Sequence, residues 1–332
     1  MKITLAIVGL GQIGASIGMA LADQGQLIQR LGYDLNPAVT RQAEKLNAVD
    51  RIVNRPDDLG AAADVILMAL PTDQIRTAME QIVPSMKETA VLMDTALSKE
   101  LVANWAKDLF GIGDRYVGLT PVINPAYLVS TSTGIQSARP DLFHNGMIAI
   151  SAPLHTDPTA IKLAADLTRL LGATVLFAEM LEVDSLMAAT HIVPQLMAAA
   201  LLNATVDQPN WREAGKMAGR AYAEVSGPIR HLGLPGTLAA TATQNRENVL
   251  RVLNSVIASL ENLRDDIDHQ DSETLTKRLE HAHKGRDQWW LNRDPEEYHR
   301  AAPAIEKPSM ASAFFGNLLR TGGRKSKTDP RE

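Results

Sequence analysis

The first half of the chain alternates short apolar runs with amphipathic stretches. Ile3–Val8, Leu27–Tyr33, Val65–Leu70 and Ala90–Asp94 read as buried strands, and Gln12–Asp23, Pro37–Leu46 and Asp73–Val83 carry helical spacing between them. Further apolar runs at Tyr116–Leu119, Met147–Ser151 and Thr174–Phe177, with a helix over about 158–171, continue the series. Short strands alternating with helices predict a parallel sheet covered on both faces. The expected class is α/β, with a doubly wound, Rossmann-type parallel sheet domain over residues 1–178.

Beyond that point helical periodicity takes over, and residues 179–300 read as an all-helical substrate and dimerisation domain. Its clearest helix places Val249, Leu253, Val256, Ile257, Leu260, Leu263 and Ile267 at spacings of three and four. A second starts near Asp271 or Ser272, both suitable N-caps, and aligns Leu275, Leu279, Ala282 and Trp289. Such stripes form a core or a dimer seam, and a homodimer through the helical domain is the expectation. Residues 301–332 turn to Pro, Gly, Ser and basic side chains and predict a flexible basic tail. Its apolar cluster, Ala313 to Phe315 with Leu318 and Leu319, is expected to dock on the body or stay disordered.

Composition narrows the function. Of 332 residues, 45% are hydrophobic and 21% charged, which is ordinary for a soluble globular protein and excludes disorder over most of the chain. A net charge of -5 without a basic stripe excludes nucleic acid as partner. Cysteine is absent, which removes disulfides, thiolate metal sites and a thiol nucleophile together. His281 and His283 lie two apart, so their rings diverge on a helix and no metal is expected. Two stretches imitate membrane signals. Residues 1–22 resemble a signal peptide, but Gly9, Gly11 and Gly14 interrupt the run. Roughly 22 uncharged residues between Asp184 and Asp207 are nominally long enough to cross a bilayer. They include His191, Pro194, Gln195 and Asn203, so a buried core helix, no membrane and a cytoplasmic protein are expected.

The chemistry starts at Gly9-Leu-Gly11-Gln12-Ile13-Gly14, which follows a strand and opens a helix. The glycines serve a tight turn, close backbone approach to pyrophosphate, and helix–strand packing. The helix N-terminus offers free N–H groups to the phosphates. Asp34 closes the next strand about 20 residues on, where a carboxylate accepts ribose hydroxyls. The cofactor expected is NAD. Arg41 leaves NADP open, since it could offset the Asp34 charge beside a 2′-phosphate. Leu70, Pro71 and Thr72 end the next major strand at the edge where the nicotinamide ribose belongs. Thr72 and Asp73 also suit a helix N-cap.

Over roughly residues 3–292 the sequence resembles the prephenate and arogenate dehydrogenase family. The matching features are the glycine motif, Asp34, the Asp94–Lys99 segment, Gly118-Leu-Thr-Pro121, the long helix from Asp184, and Asn245-Arg-Glu247. The resemblance implies hydride transfer from a ring carbinol to a nicotinamide while a ring carboxylate leaves as carbon dioxide. It requires a base for the hydroxyl proton and cations for the carboxylates. The family usually carries its catalytic histidine in Gly-x-His-Pro, whereas this chain has Thr120. Loss of a positioned base costs about 10²–10⁴ in rate. The family's Ser-His-Leu-Pro-His on the long helix aligns without a gap so that His191 takes the serine place, with Ile192 and Gln195 at the histidines. Its Phe-Arg-Asp-x-Thr-Arg pattern reads Tyr222-Ala-Glu-Val-Ser-Gly227 here, with Arg230 three residues further on.

Candidate catalytic residues are therefore His191, Thr120 and Asn245. Imidazole is the side chain suited to a base near neutral pH, which singles out His191, although a core histidine is the plainer reading. Ser98, Arg220 and Arg230 are candidate substrate ligands, with Arg246 a further fork for a carboxylate; Ser98 also suits a helix cap. The partner expected is a small carboxylate. The alternatives are a dehydrogenase of a different carboxylated substrate, or a non-catalytic dinucleotide-binding regulatory protein.

Overall fold

A computed structural model describes residues 2–293 except 131 and 232–234. The elements run β1 (Ile3–Val8), α1 (Gln12–Ala20), β2 (Ile28–Tyr33), α2 (Pro37–Lys45), β3 (Arg51–Ile52), α3 (Pro56–Ala62), β4 (Val65–Met68), α4 (Thr72–Ile82), β5 (Val91–Asp94), α5 (Lys99–Asn104), β6 (Tyr116–Val122), β7 (Met147–Ser151), α6 (Pro158–Leu170) and β8 (Thr174–Phe177). The helical half comprises α7 (Met180–Met187), α8 (Val193–Thr205), α9 (Trp211–Met217), α10 (Arg220–Ser226), α11 (Pro235–Gln244), α12 (Arg246–Asp268) and α13 (Ser272–Leu291).

The eight strands lie in the order β3-β2-β1-β4-β5-β6-β7-β8. The order reverses between β1 and β4, which opens the crevice at their carboxyl ends where doubly wound sheets bind ligands. Residues of β4 and β5 are buried on both faces, as strands under two helical layers must be. One face buries Leu5, Ile7, Leu67, Met93 and Val117. The other buries Ala6, Val8, Ile66, Leu92 and Tyr116.

One strand departs from the expected parallel sheet: β7 runs antiparallel to β6. Among the described residues no crossover helix joins them. The connection turns through 3₁₀ segments at Pro125–Tyr127 and Gly134–Ser137, the second packed near α1, and then enters β7 from the opposite end. The β7–α6–β8 unit restores parallel pairing. The first expected helix is shorter than the pattern suggests: α1 stops at Ala20, and Ala22–Gln24 tightens into a 3₁₀ turn.

The long apolar segment is one helical rod, α7 and α8 joined by a π-turn at Ala188–Ile192. It is long and apolar enough to cross a membrane by length and composition, yet only 28% of its most apolar window is buried. The expectation of a buried core helix is therefore corrected: within one chain most of the rod is not buried. Asp271, not Ser272, caps α13 by accepting the Thr274 N–H at 3.0 Å. No residue of α13 is buried, so its stripe is not core within one chain. The expected tail, 301–332, lies outside the described residues.

Candidate active site

The glycine loop has the geometry a dinucleotide needs. Gly9 adopts a φ of +92°, and a Cβ there would lie 2.5 Å from the Ala69 carbonyl oxygen. A Cβ on Gly14 would lie 1.9 Å from the Gly9 oxygen, so only glycine lets α1 start this close to the strand. Gly11 differs: a Cβ there meets nothing within 4 Å. The open space in front of it is room for a phosphate at the amino end of α1, where Gln12 and Ile13 begin the helix. Asp34 is locked to this loop, for its Oδ2 accepts the Leu10 N–H at 2.9 Å and its Oδ1 accepts the Asn36 N–H at 2.8 Å. These residues fit a dinucleotide.

Leu70 and Pro71 form the turn into α4, and Thr72 is buried at its first position. Neither Thr72 nor Asp73 caps that helix. Asp73 Oδ2 instead accepts the Thr237 Oγ1 hydrogen bond at 3.3 Å, tying α4 to α11 across the domain boundary.

A second group of side chains is built on a row across three strands. Asp94, Gly118 and Ser151 stand in lateral register on β5, β6 and β7, with Tyr116 and Thr120 two residues either side of Gly118. Over them lies Lys99, fully buried. Its Nζ donates to Asp94 Oδ1 at 2.9 Å and to the Asp94 carbonyl at 3.2 Å, while Tyr116 donates its hydroxyl to Asp94 Oδ2 at 2.6 Å. Burial pushes the Lys99 ammonium below its usual range against the pull of Asp94. Burial and the Asp94 charge push the Tyr116 phenol up.

Asp184 joins the domains at this point. From α7 it accepts the Lys99 N–H at 2.6 Å and the Glu100 N–H at 3.1 Å, and so caps α5. Burial raises its pKa, opposed by those two N–H groups. Ser98 therefore does not cap the helix it precedes, contrary to the plainer expectation. Its hydroxyl, and those of Thr120 and Ser151, are buried without a hydrogen-bond partner. Orphaned hydroxyls at a strand end are positions a ligand or water fills.

The other candidates fall elsewhere. Asn245 engages both ends of its amide, donating to the Asp184 carbonyl at 2.7 Å and accepting from Asn248 at 2.9 Å. The first of these bonds braces α12 on α7. His191 is exposed, not a core residue, while its neighbour Ile192 is buried with Ala188 and Val193 in the helical core that also receives Leu97. The π-turn adds one residue to the rod, which rotates the side chains of α8 by about 100°. Arg220 is 90% exposed and pairs with Glu224, Arg246 pairs with Glu247, and Arg230 is exposed on the 3₁₀ turn Gly227–His231. None of these arginines is buried with the polar row in a single chain.

Sequence reasoning missed Lys99, Tyr116, Ser151 and the capping role of Asp184. One signal was available: a lysine at the first position of a helix opposes the helix dipole, so it calls for a partner. Among the described residues no cluster of His, Asp or Glu could hold a metal.

A doubly wound nucleotide-binding domain followed by a helical domain defines the class, and comparison defines the family. Residues 17–177 match the prephenate dehydrogenase nucleotide-binding domain, and residues 181–281 match the prephenate dehydrogenase dimerisation domain. The chain belongs to the prephenate dehydrogenase family of NAD-dependent oxidoreductases. Prephenate dehydrogenase of Bacillus subtilis is 24% identical over 294 residues, 86% of this chain and 76% of that protein. Cyclohexadienyl dehydrogenase of Zymomonas mobilis is 23% identical over 284 residues, 85% of this chain and 94% of that protein. The fold is shared with prephenate dehydrogenase from A. aeolicus, solved with hydroxyphenyl propionate and NAD+ (TM-score 0.75, 20% identity, 87% of this chain and 98% of that one). It is also shared with Synechocystis arogenate dehydrogenase (TM-score 0.67, 24% identity, 86% and 100%).

Proposed function

We propose that the protein oxidises prephenate, arogenate or a close carboxylated relative, with NAD as hydride acceptor and loss of a ring carboxylate as carbon dioxide. The single observation that carries this reading is the family match over both domains. NAD, when bound, supplies the electrophilic nicotinamide carbon. Gly9, Gly11 and Gly14 leave room for its phosphates, and Asp34, held by the Leu10 N–H, accepts its ribose hydroxyls. An anchored carboxylate there repels a 2′-phosphate and favours NAD over NADP.

Thr120 and Ser98 present hydroxyls to the reacting carbinol, and Lys99, Asp94 and Tyr116 hold the floor beneath them rigid. Thr120 orients a hydroxyl but is no base at neutral pH. His191 is the proton acceptor we assign, because imidazole titrates in the working range. Arg220 and Arg230 are assigned to substrate carboxylate. The protein works as a cytoplasmic homodimer.

A second reading is favoured by Thr120 in the histidine place: dinucleotide binding without turnover. One experiment separates the two. Reduced-nicotinamide absorbance is followed with prephenate and with arogenate after calorimetric titration of NAD. Turnover on either supports the dehydrogenase, and His191→Asn then lowers kcat by about 10²-fold or more. Tight NAD binding with no turnover on either rejects the first reading and leaves the second.

A further inference from the structure

Among the described residues the junction between the domains is bare. Leu176 and Phe177 end β8, and Leu181 and Leu186 lie on α7; these four are 42%, 62%, 58% and 48% exposed. β8 is the edge strand, paired on one side with β7. Leu176 is in register with Ala149 and Phe177 with Ile150, so the two side chains point to opposite faces and the strand end is uncovered on both. Leu181 lies four residues beyond Phe177, within about 14 Å. Leu186 follows about 7.5 Å further along the helix. There Arg251 donates to Ser185 Oγ at 2.7 Å and lays α12 beside α7. Exposed apolar side chains thus occur at the end of β8, on α7 and, at Leu250, Ile257 and Leu260, on α12.

Most of that surface lies inside residues 181–281, the dimerisation-domain match; the end of β8 lies outside it. An open strand edge with apolar ends invites pairing with another chain unless something covers it. We propose that the second copy of this chain, seated on α7 and α12, also covers the end of β8, so that one interface straddles both domains. The inference rests on the homodimer reading and goes beyond it. Because β8 and α7 are separated only by Ala178 and Glu179, a partner bound on both sides fixes the angle between nucleotide-binding and helical domains.

The absence of cysteine lets a single introduced thiol be labelled without ambiguity. A nitroxide on Phe177→Cys is expected to be immobilised and shielded from a soluble relaxant in the dimer, and mobile in a monomer produced by Ile257→Asp. A label on Leu154→Cys, where the native side chain is 94% exposed, stays mobile in both. Phe177→Glu is expected to raise the dimer dissociation constant at least about tenfold in sedimentation equilibrium. A wild-type protein that is monomeric at every concentration overturns the homodimer reading and this inference with it. A stable dimer whose label at 177 is mobile, with Phe177→Glu neutral, overturns this inference alone. A label immobilised in the monomer shows that the chain's own segment 294–332 covers the strand, which also overturns it.

Discussion

The sheet domain closes upon itself, whereas the helical domain does not. Apart from the end of β8, both faces of the sheet are covered by the domain's own helices, and even its interior lysine has a carboxylate and a phenol arranged around it. In α12 the stripe that buries Val249 at 4% exposure is 51% exposed at Ile257 and 63% at Ile267. The same apolar periodicity thus has two fates. Where chain connectivity returns a helix over each strand, the apolar face is consumed inside one copy. Where α12 and α13 extend as a hairpin, the face outlasts the body it packs on and requires another surface.

Four variants test that contrast, in descending order of expected effect. Lys99→Met leaves the buried Asp94 carboxylate without its cation and costs about 3–5 kcal/mol, read from urea unfolding. A loss under about 1 kcal/mol would mean that the interior of the sheet domain is wetter than its burial indicates. Ile257→Asp puts a charge on the exposed stripe of α12, where burial of the isoleucine by a second copy would contribute about 1.5–3 kcal/mol. Sedimentation should show a correspondingly weaker dimer with the sheet domain still folded; a dimer of unchanged strength would erase the contrast. Asp34→Ser weakens NAD binding by about 1.5–3 kcal/mol through the lost charge-assisted bonds, with little loss for NADP, as titration calorimetry can measure.

Asp184→Asn has the smallest effect, about 1 kcal/mol through a weaker cap on α5. Its signature is in pH. Burial raises the Asp184 pKa above 3.8, so between the ordinary and raised values the folded protein binds more protons than the unfolded one. Stability from this group therefore falls as pH rises through that window. Urea midpoints across mildly acidic pH should lose that component of the slope in the variant.

The legibility of these features follows their physical origin. The glycine loop and Asp34 were readable because turn, helix start and strand end are dictated within a few residues of backbone. The strands were readable because both of their faces are apolar. Short elements were not: β3 has two residues and α3 seven, too few for a period to show. The direction of β7 was hidden because it depends on a connection, not on the strand's own residues. The cluster around Lys99 was least readable, since Asp184 meets Lys99 across 85 positions. Ser98 followed the local capping rule and was displaced by that distant carboxylate. Asn245 and His191 were placed by alignment, which says nothing of a π-turn or of a neighbour's carbonyl.

Gly118 carries a consequence for how this sequence can change. A methyl at that position would stand 2.6 Å from Lys99 Cδ, while the far end of the same lysine is held by Asp94. Position 118 cannot enlarge before position 99 shortens, and shortening 99 strands the charge at 94. Mutational paths through this floor are therefore ordered, and drift at one site is gated by the state of the other two. A library that randomises 118 alone samples mostly broken proteins, whereas one that varies 94, 99 and 118 together can reach new floors beneath the same nucleotide.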